Sequence, residues 1–274
     1  MINDDTIYDL VGGSAGTILG CLAAFDLTQD RFFTERAVQL GDHLLNNQVF
    51  DEDRQAWGWQ SGSPSILSGM SHGVAGIAMA LSRLGQLVGK ERFSNAAETA
   101  LQFEDAVYSY AYKNWLDLRE TDAQNPQFMN AWCHGATGIG MARAAMMSTV
   151  ENNMPLKKKL KAEAKIGAVT AAAECALSGT DSVCCGNLGR ADALLTIGQS
   201  LNDSNFIITA QELANKAITQ AKHLKGYAFL NTIIPREFTS PSFFQGLAGI
   251  GYQLLRLQNP KMHPSVLIWA TRNI

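Results

Sequence analysis

Five short glycine motifs, set at nearly even spacing, constrain the fold of this 274-residue chain more than any other feature. They read GGSAG (Gly12 to Gly16), HGVAG (His72 to Gly76), HGATG (His134 to Gly138), CGNLG (Cys185 to Gly189) and QGLAG (Gln245 to Gly249). Their second glycines are Gly13, Gly73, Gly135, Gly186 and Gly246, so the steps are 60, 62, 51 and 60 residues. Repetition at such a period means stacked supersecondary units that bury their apolar faces against one another. Each motif leads into a small apolar run, such as GIAMAL at 76–81 or GIGYQLL at 249–255. Apolar residues on more than one face predict a helix buried nearly all round. Longer amphipathic segments lie between them, clearest over Arg31 to Asn47, Arg92 to Tyr108, Leu156 to Leu177 and Asn205 to Leu224. No run has a convincing strand pattern. The reading is all-α: an (α/α) toroid with buried inner helices and an amphipathic outer ring. The glycines permit positive φ and close backbone approach, so all five turns are expected at one end, their flanking residues converging on one site.

Composition narrows the function classes. At 46% hydrophobic and 17% charged, the chain has the balance of a globular protein with a large core. A net charge of −3 argues against a nucleic-acid partner, which favours a basic surface. No stretch approaches the roughly 20 apolar residues of a membrane span. The first residues show no basic region followed by an apolar run, so a cytoplasmic protein is expected. The lysines at 157–159 and 161 are read as the solvated face of an outer helix. The five cysteines are an odd number for a disulfide framework and fit reduced thiols or metal ligands better. Cys21 and Cys175, inside Ala/Leu-rich segments, are expected to be core thiols.

Chemistry is concentrated beside the glycines. The residue before the second glycine of each motif is Gly12, His72, His134, Cys185 or Gln245, and the one before that is Val11, Ser71, Cys133, Cys184 or Phe244. Three consecutive repeats thus carry thiols or imidazoles at one structural position. Cys133, Cys184 and Cys185 form a candidate zinc site, because thiolates suit zinc and three protein ligands leave a fourth tetrahedral position open. His134 competes for a ligand place; an all-cysteine set is favoured. His43, His223 and His263 read as surface histidines.

Together DLVGGSAG, SHGVAGIA, WCHGATGIG, CCGNLGR and PSFFQGLAGIGYQLLR resemble the lanthionine synthetase C-like family from about Tyr8 to Leu257. The CCG form of the fourth motif looks most like the cyclase domain of class II lanthipeptide synthetases. The resemblance implies an (α/α) toroid with a central zinc ion held by Cys133, Cys184 and Cys185. It also places the acid/base histidine at His72, the active-site aspartate at Asp9, and a further active-site residue at His134. A family cyclase has seven helical hairpins and this chain supplies about five, so residues 1–274 are expected to be one N-terminally truncated cyclase domain. Some relatives carry an arginine shortly before the first zinc cysteine; Met129 and Asn130 stand there instead.

The implied reaction adds a peptide cysteine thiol to dehydroalanine or dehydrobutyrine, giving lanthionine or methyllanthionine. The implied partners are a dehydrated precursor peptide with its leader, and a dehydratase domain or separate dehydratase. Two other classes compete. A glycan-processing toroid needs paired carboxylates, and the turns offer only Asp9. A non-catalytic binder of zinc or thiol peptides is the alternative.

Overall fold

A computed structural model describes residues 4–119, 125–173, 179–229 and 240–271. Among them are nine α-helices: α1 (Ser14–Thr28), α2 (Arg31–Asn46), α3 (Val74–Val88), α4 (Glu91–Ala106), α5 (Ala136–Met146), α6 (Met154–Ala173), α7 (Asn187–Leu201), α8 (Ser204–His223) and α9 (Leu247–Gln258). Four hairpins form, α1 with α2, α3 with α4, α5 with α6 and α7 with α8. The odd-numbered helices pack side by side as the inner layer, from α1 through α3, α5 and α7 to α9. The fifth repeat contributes its inner helix, so the sequence estimate of about five hairpins becomes four plus one inner helix among the described residues. No helix of the described residues is long and apolar enough to cross a membrane.

The two layers begin in different ways. On two outer helices, α2 and α8, Asp30 accepts from Phe32 N and Asp203 from Asn205 N, satisfying N–H groups that the helix leaves open, whereas α4 starts at Lys90 without such a cap. The inner helices begin at Gly13, Gly73, Gly135, Gly186 and Gly246, without any side-chain cap. Three residues on, the last glycine of each motif lies against the carbonyl oxygen six residues back in the lead-in segment. A Cβ at Gly16, Gly76, Gly138, Gly189 or Gly249 would sit 1.9–2.1 Å from that oxygen. Close approach is therefore what the glycines provide. The expectation of positive φ holds at Gly135 alone among the five helix-start glycines, at φ 84°; the others are extended.

Burial follows the layers. On α4, Phe93, Ala96, Ala97, Ala100, Leu101 and Glu104 form a helical stripe, and Ala210, Leu213, Ala214, Ala217 and Ala221 do the same on α8. Every residue of α5 is buried, and α5 crosses α6 so closely that a Cβ on Gly140 would lie 2.8 Å from Gly167 Cα. The lysines of α6 are largely solvated, with Lys159 paired to Asp105, as the sequence suggested.

Three sequence expectations are corrected. Two small antiparallel hairpins exist: β1 (Val49–Asp51) with β2 (Ala56–Gly58), and β3 (Tyr108–Ser109) with β4 (Asn114–Trp115). Strands of two or three residues are too short to leave an alternation in sequence. His43 is buried rather than on the surface, because position 43 falls on the stripe of Ala37, Leu40 and Leu44. Its Nε2 donates to Asp5 O at 2.9 Å, tying the lead-in of the first turn to α2. Cys21 is half-buried against the core, and burial pushes its thiol pKa up; Cys175 lies outside the described residues. His223 is exposed, as expected, and His263 is half-buried edge-on to Tyr252.

After α9 the chain passes beneath the glycine turns. Ser265 Oγ donates to Asp192 Oδ2 at 2.6 Å, Trp132 Nε1 to Leu267 O at 3.0 Å, and Arg83 Nη1 to Ile268 O at 2.6 Å. Thr271 Oγ1 reaches Asp26 Oδ2 on α1. The segment bridges α7 to α1 across the inner layer.

Candidate metal centre

The glycine turns are fastened to one another, which brings their flanking side chains into one place. Leu10 N on the first turn donates to Ser71 O on the second at 3.1 Å. Met70 N and Ser71 N both donate to Cys133 O on the third, each at 3.0 Å, and Cys184 N on the fourth donates to Phe244 O on the fifth at 2.9 Å. Between the third and fourth turns the link is sulfur. Cys133 Sγ lies 3.4 Å from Cys185 Sγ, which lies 3.3 Å from Cys184 Sγ, and all three are within 4.8 Å of one another. A regular helix could not aim two adjacent cysteines at one point. Here both precede α7, in the irregular turn before Gly186.

These three thiols suit a thiophilic cation. Hydrogen bonds to Cys184 and Cys185, with burial, hold the Cys133 thiol above its ordinary pKa. Cys184 is also held up: a bond with Cys133 draws it down, but the bond to Cys185 and burial outweigh it. Cys185 is drawn down by its hydrogen bonds with both neighbours. Three ionised sulfurs at this distance need a compensating cation.

A second constellation lies on the two preceding turns. Asp9, buried, accepts from Val11 N at 2.9 Å and Gly12 N at 2.8 Å through Oδ1. Its Oδ2 accepts from His72 Nδ1 at 2.6 Å. The carboxylate side chain is 2% exposed and the imidazole 43%. Asp9 therefore fixes the ring and its tautomer, leaving the Nε2 lone pair of neutral His72 available for proton exchange.

His134 connects the two constellations. Its ring centroid is 6.1 Å from that of His72, and its Nδ1 donates to Ser68 O at 3.2 Å. Burial pushes its pKa down to about 4, with the Arg119 charge assisting, so the ring is neutral at neutral pH. With Nδ1 protonated, Nε2 offers a buried lone pair that meets no hydrogen-bond partner among the described residues. The segment beneath is braced from the outer ring. Glu104 on α4 accepts from Gly69 N at 3.2 Å and from Arg143 on α5, whose Nε donates to Glu163 on α6 at 2.6 Å. Burial raises the Glu104 pKa, and Arg143 opposes that rise. Gly69 has φ 105°, and a Cβ there would meet Cys133 O and His134 Nδ1 at 3.0 Å.

The structure thus gathers Cys133, Cys184 and Cys185 at one point, joins Asp9 to His72, and sets His134 between. Sequence reasoning missed two arginines. Arg190, the last residue of CCGNLGR, is buried and reaches back from the fourth turn to Asn130 O on the third at 3.5 Å. Its place directly after a motif was the signal. Arg119 leaves no such trace: it lies outside every motif, yet its Nη2 is 3.3 Å from the Met129 sulfur, where the sequence shows no arginine.

Fold and site together define a helical toroid with a thiol triad and an Asp–His pair at the glycine end of its inner ring. The family model for lanthionine synthetase C-like proteins matches residues 1–268, and the chain belongs to that family. Among solved structures, nisin cyclase superposes over 97% of this chain and 67% of its own, with a TM-score of 0.67 and 18% sequence identity. At that identity the likeness speaks for the fold. Neither match separates the class II cyclase domains from the rest of the family. Comparison with curated proteins returns no match.

Proposed function

We propose that this chain is a zinc-dependent lanthionine cyclase, acting on a dehydrated precursor peptide as the other members of its family suggest. The observation that carries the reading is the three-thiol cluster standing beside an imidazole oriented by a buried carboxylate. Cys133, Cys184 and Cys185 would hold the metal. Bound zinc would supply Lewis acidity at an open fourth position, favouring the thiolate form of a peptide cysteine whose ordinary pKa is about 8.5.

The residues of the chain do the rest. Asp9 keeps the proton of His72 on Nδ1, so His72 Nε2 takes a proton and later returns one. Addition of the sulfur to the β-carbon leaves a carbanion equivalent that must be protonated at the α-carbon, and His72 is the group placed to do so. His134, neutral and buried beside it, accepts a hydrogen bond through Nε2 without adding charge. Three thiolates from Cys133, Cys184 and Cys185 would leave a zinc-loaded site at net −1, a charge that would favour a nucleophilic substrate sulfur. The same reading places the protein in the cytoplasm, where thiols stay reduced, and assigns dehydration to another domain or enzyme.

Cyclisation of a dehydrated peptide, followed as loss of free thiol without change of mass, tests the reading. Ring formation that needs both zinc and His72 supports it. Zinc binding with no cyclisation of any dehydrated peptide would favour the non-catalytic binder.

A further inference from the structure

His134 is oriented by one peptide group, and that group is held from three sides. The Ser68 carbonyl accepts from His134 Nδ1 at 3.2 Å. The N–H of the same peptide unit, on Gly69, donates to Glu104 Oε1 at 3.2 Å. The third side is closed by Gly73, where a Cβ would lie 2.2 Å from Ser68 C and 2.7 Å from Gly69 N. Gly69 itself has φ 105° and little room for a side chain, since Cys133 O and His134 Nδ1 would stand 3.0 Å from its Cβ. One residue on, Met70 N donates to Cys133 O at 3.0 Å. The peptide therefore cannot turn over without breaking contacts of both turns.

Glu104 is what the outer layer adds to this arrangement. It stands in the last turn of α4 with its side chain fully buried. Its second oxygen, Oε2, accepts from Arg143 Nη2 on α5, and Arg143 Nε donates to Glu163 at 2.6 Å. A buried ion pair is a weak stabiliser, because apolar side chains of similar volume often serve as well or better. Other residues of the α4 stripe, Phe93, Ala97, Ala100 and Leu101, meet the core by apolar contact. Stability thus gives no reason for a carboxylate at position 104. Its charge has a local effect instead. An N–H bonded to a carboxylate leaves the carbonyl of the same peptide a stronger acceptor. A stronger acceptor at Ser68 O holds the ring proton on His134 Nδ1.

We propose that Glu104 is a positioning residue of this site, fixing the tautomer of His134 through the Ser68–Gly69 peptide. The inference rests on the reading of His134 as part of the cyclase site. Asp9 orients His72 by direct contact at 2.6 Å. Glu104 does the same for His134 with one peptide interposed. The two rings, 6.1 Å apart by centroid, then both carry Nδ1–H and both leave Nε2 as an acceptor. His134 Nε2 is buried and has no partner among the described residues. It is set to receive a donor from the bound peptide, such as a backbone N–H beside the dehydro residue. The opposite tautomer would present an N–H there and repel that donor.

NMR of isotope-labelled histidine nitrogens reads the tautomer directly and without substrate, the His134 signals being assigned by their loss in His134→Gln. Wild type is compared with Glu104→Gln and with the double variant Glu104→Gln/Arg143→Met, which removes the cation left without its partner and so guards against misfolding. In both, the amide oxygen can still accept from Gly69 N, so the backbone contact stays and only the charge is lost. The expected result is His134 as Nδ1–H alone in wild type and a mixture of tautomers in both variants, with His72 unchanged. On dehydrated peptide, kcat should fall about tenfold in each, with little change in KM and no loss of zinc. A folded variant whose His134 stays wholly Nδ1–H would overturn the assignment, and so would a double variant with the kcat of wild type. Because the tautomer is read on the free protein, failure of the cyclase reading, seen as a wild type that forms no rings, is told apart from failure of this one.

Discussion

The thiol triad and the Asp9–His72 pair stand on neighbouring turns, but the chain holds them in different ways. The triad is carried by backbone: Cys133 O accepts from two N–H groups of the second turn, Gly135 takes a left-handed φ, and α5 and α7 behind it are buried almost throughout. The pair is carried by side chains, with one short hydrogen bond orienting a ring that remains 43% exposed. Behind Asp9, α1 buries only one stripe: Ser14, Ala15, Ile18, Leu19 and Leu22. A metal site demands fixed ligand positions, so a rigid backbone suits it. A group that exchanges protons needs access, so an exposed ring on a fixed anchor suits that task. The two halves should therefore fail separately.

The sharpest way to separate them is His72→Asn, which leaves the thiols untouched. Cyclisation should fall by about a thousandfold while metal content stays at the wild-type level; a parallel loss of metal would join what the comparison divides. Gly135→Ala probes the other half. Its new Cβ would lie 1.6 Å from Met129 O at φ 84°, so unfolding free energy should drop by about 3 kcal/mol or more. Denaturant unfolding measures this, and a wild-type midpoint would show that the backbone brace is dispensable. Asp9→Asn is subtler. The amide would keep accepting from Val11 N and Gly12 N but would donate toward His72 Nδ1, moving the ring proton to Nε2. A roughly hundredfold fall in kcat is expected by analogy with tautomer reversal in other oriented imidazoles, again with metal retained. The smallest effect is expected from Cys185→His, which should keep the metal and slow cyclisation by about tenfold as the site loses negative charge. Full speed in that variant would remove the charge argument.

Much of this was legible because the repeat is written in glycines. Each second glycine marks the start of an inner helix, so the steps from Gly13 to Gly246 gave five inner helices and the end at which their flanking residues meet. The thiols were legible for the same reason, since Cys133 and Cys184 occupy equivalent positions in adjacent repeats and Cys185 holds the position taken by His72 and His134 in the two repeats before it. What escaped was whatever depends on long-range packing. His43 looked like a surface residue until α2 was set against the lead-in to the first turn, where its Nε2 finds Asp5 O. Glu104 and Arg143 are one buried pair from two helices, and no local pattern joins residues 39 positions apart. Arg119 lies in a connection, where no period applies, and its position shows only once Ser68 draws that connection over the third turn.

The proposed function depends on a metal at the triad, so the most direct measurement is zinc per chain in purified wild-type protein and in Cys184→Ala. The account predicts about one zinc per wild-type chain, lost in large part from Cys184→Ala while helical content is unchanged. A folded wild-type protein without zinc, or a Cys184→Ala variant that keeps its full complement, would contradict it.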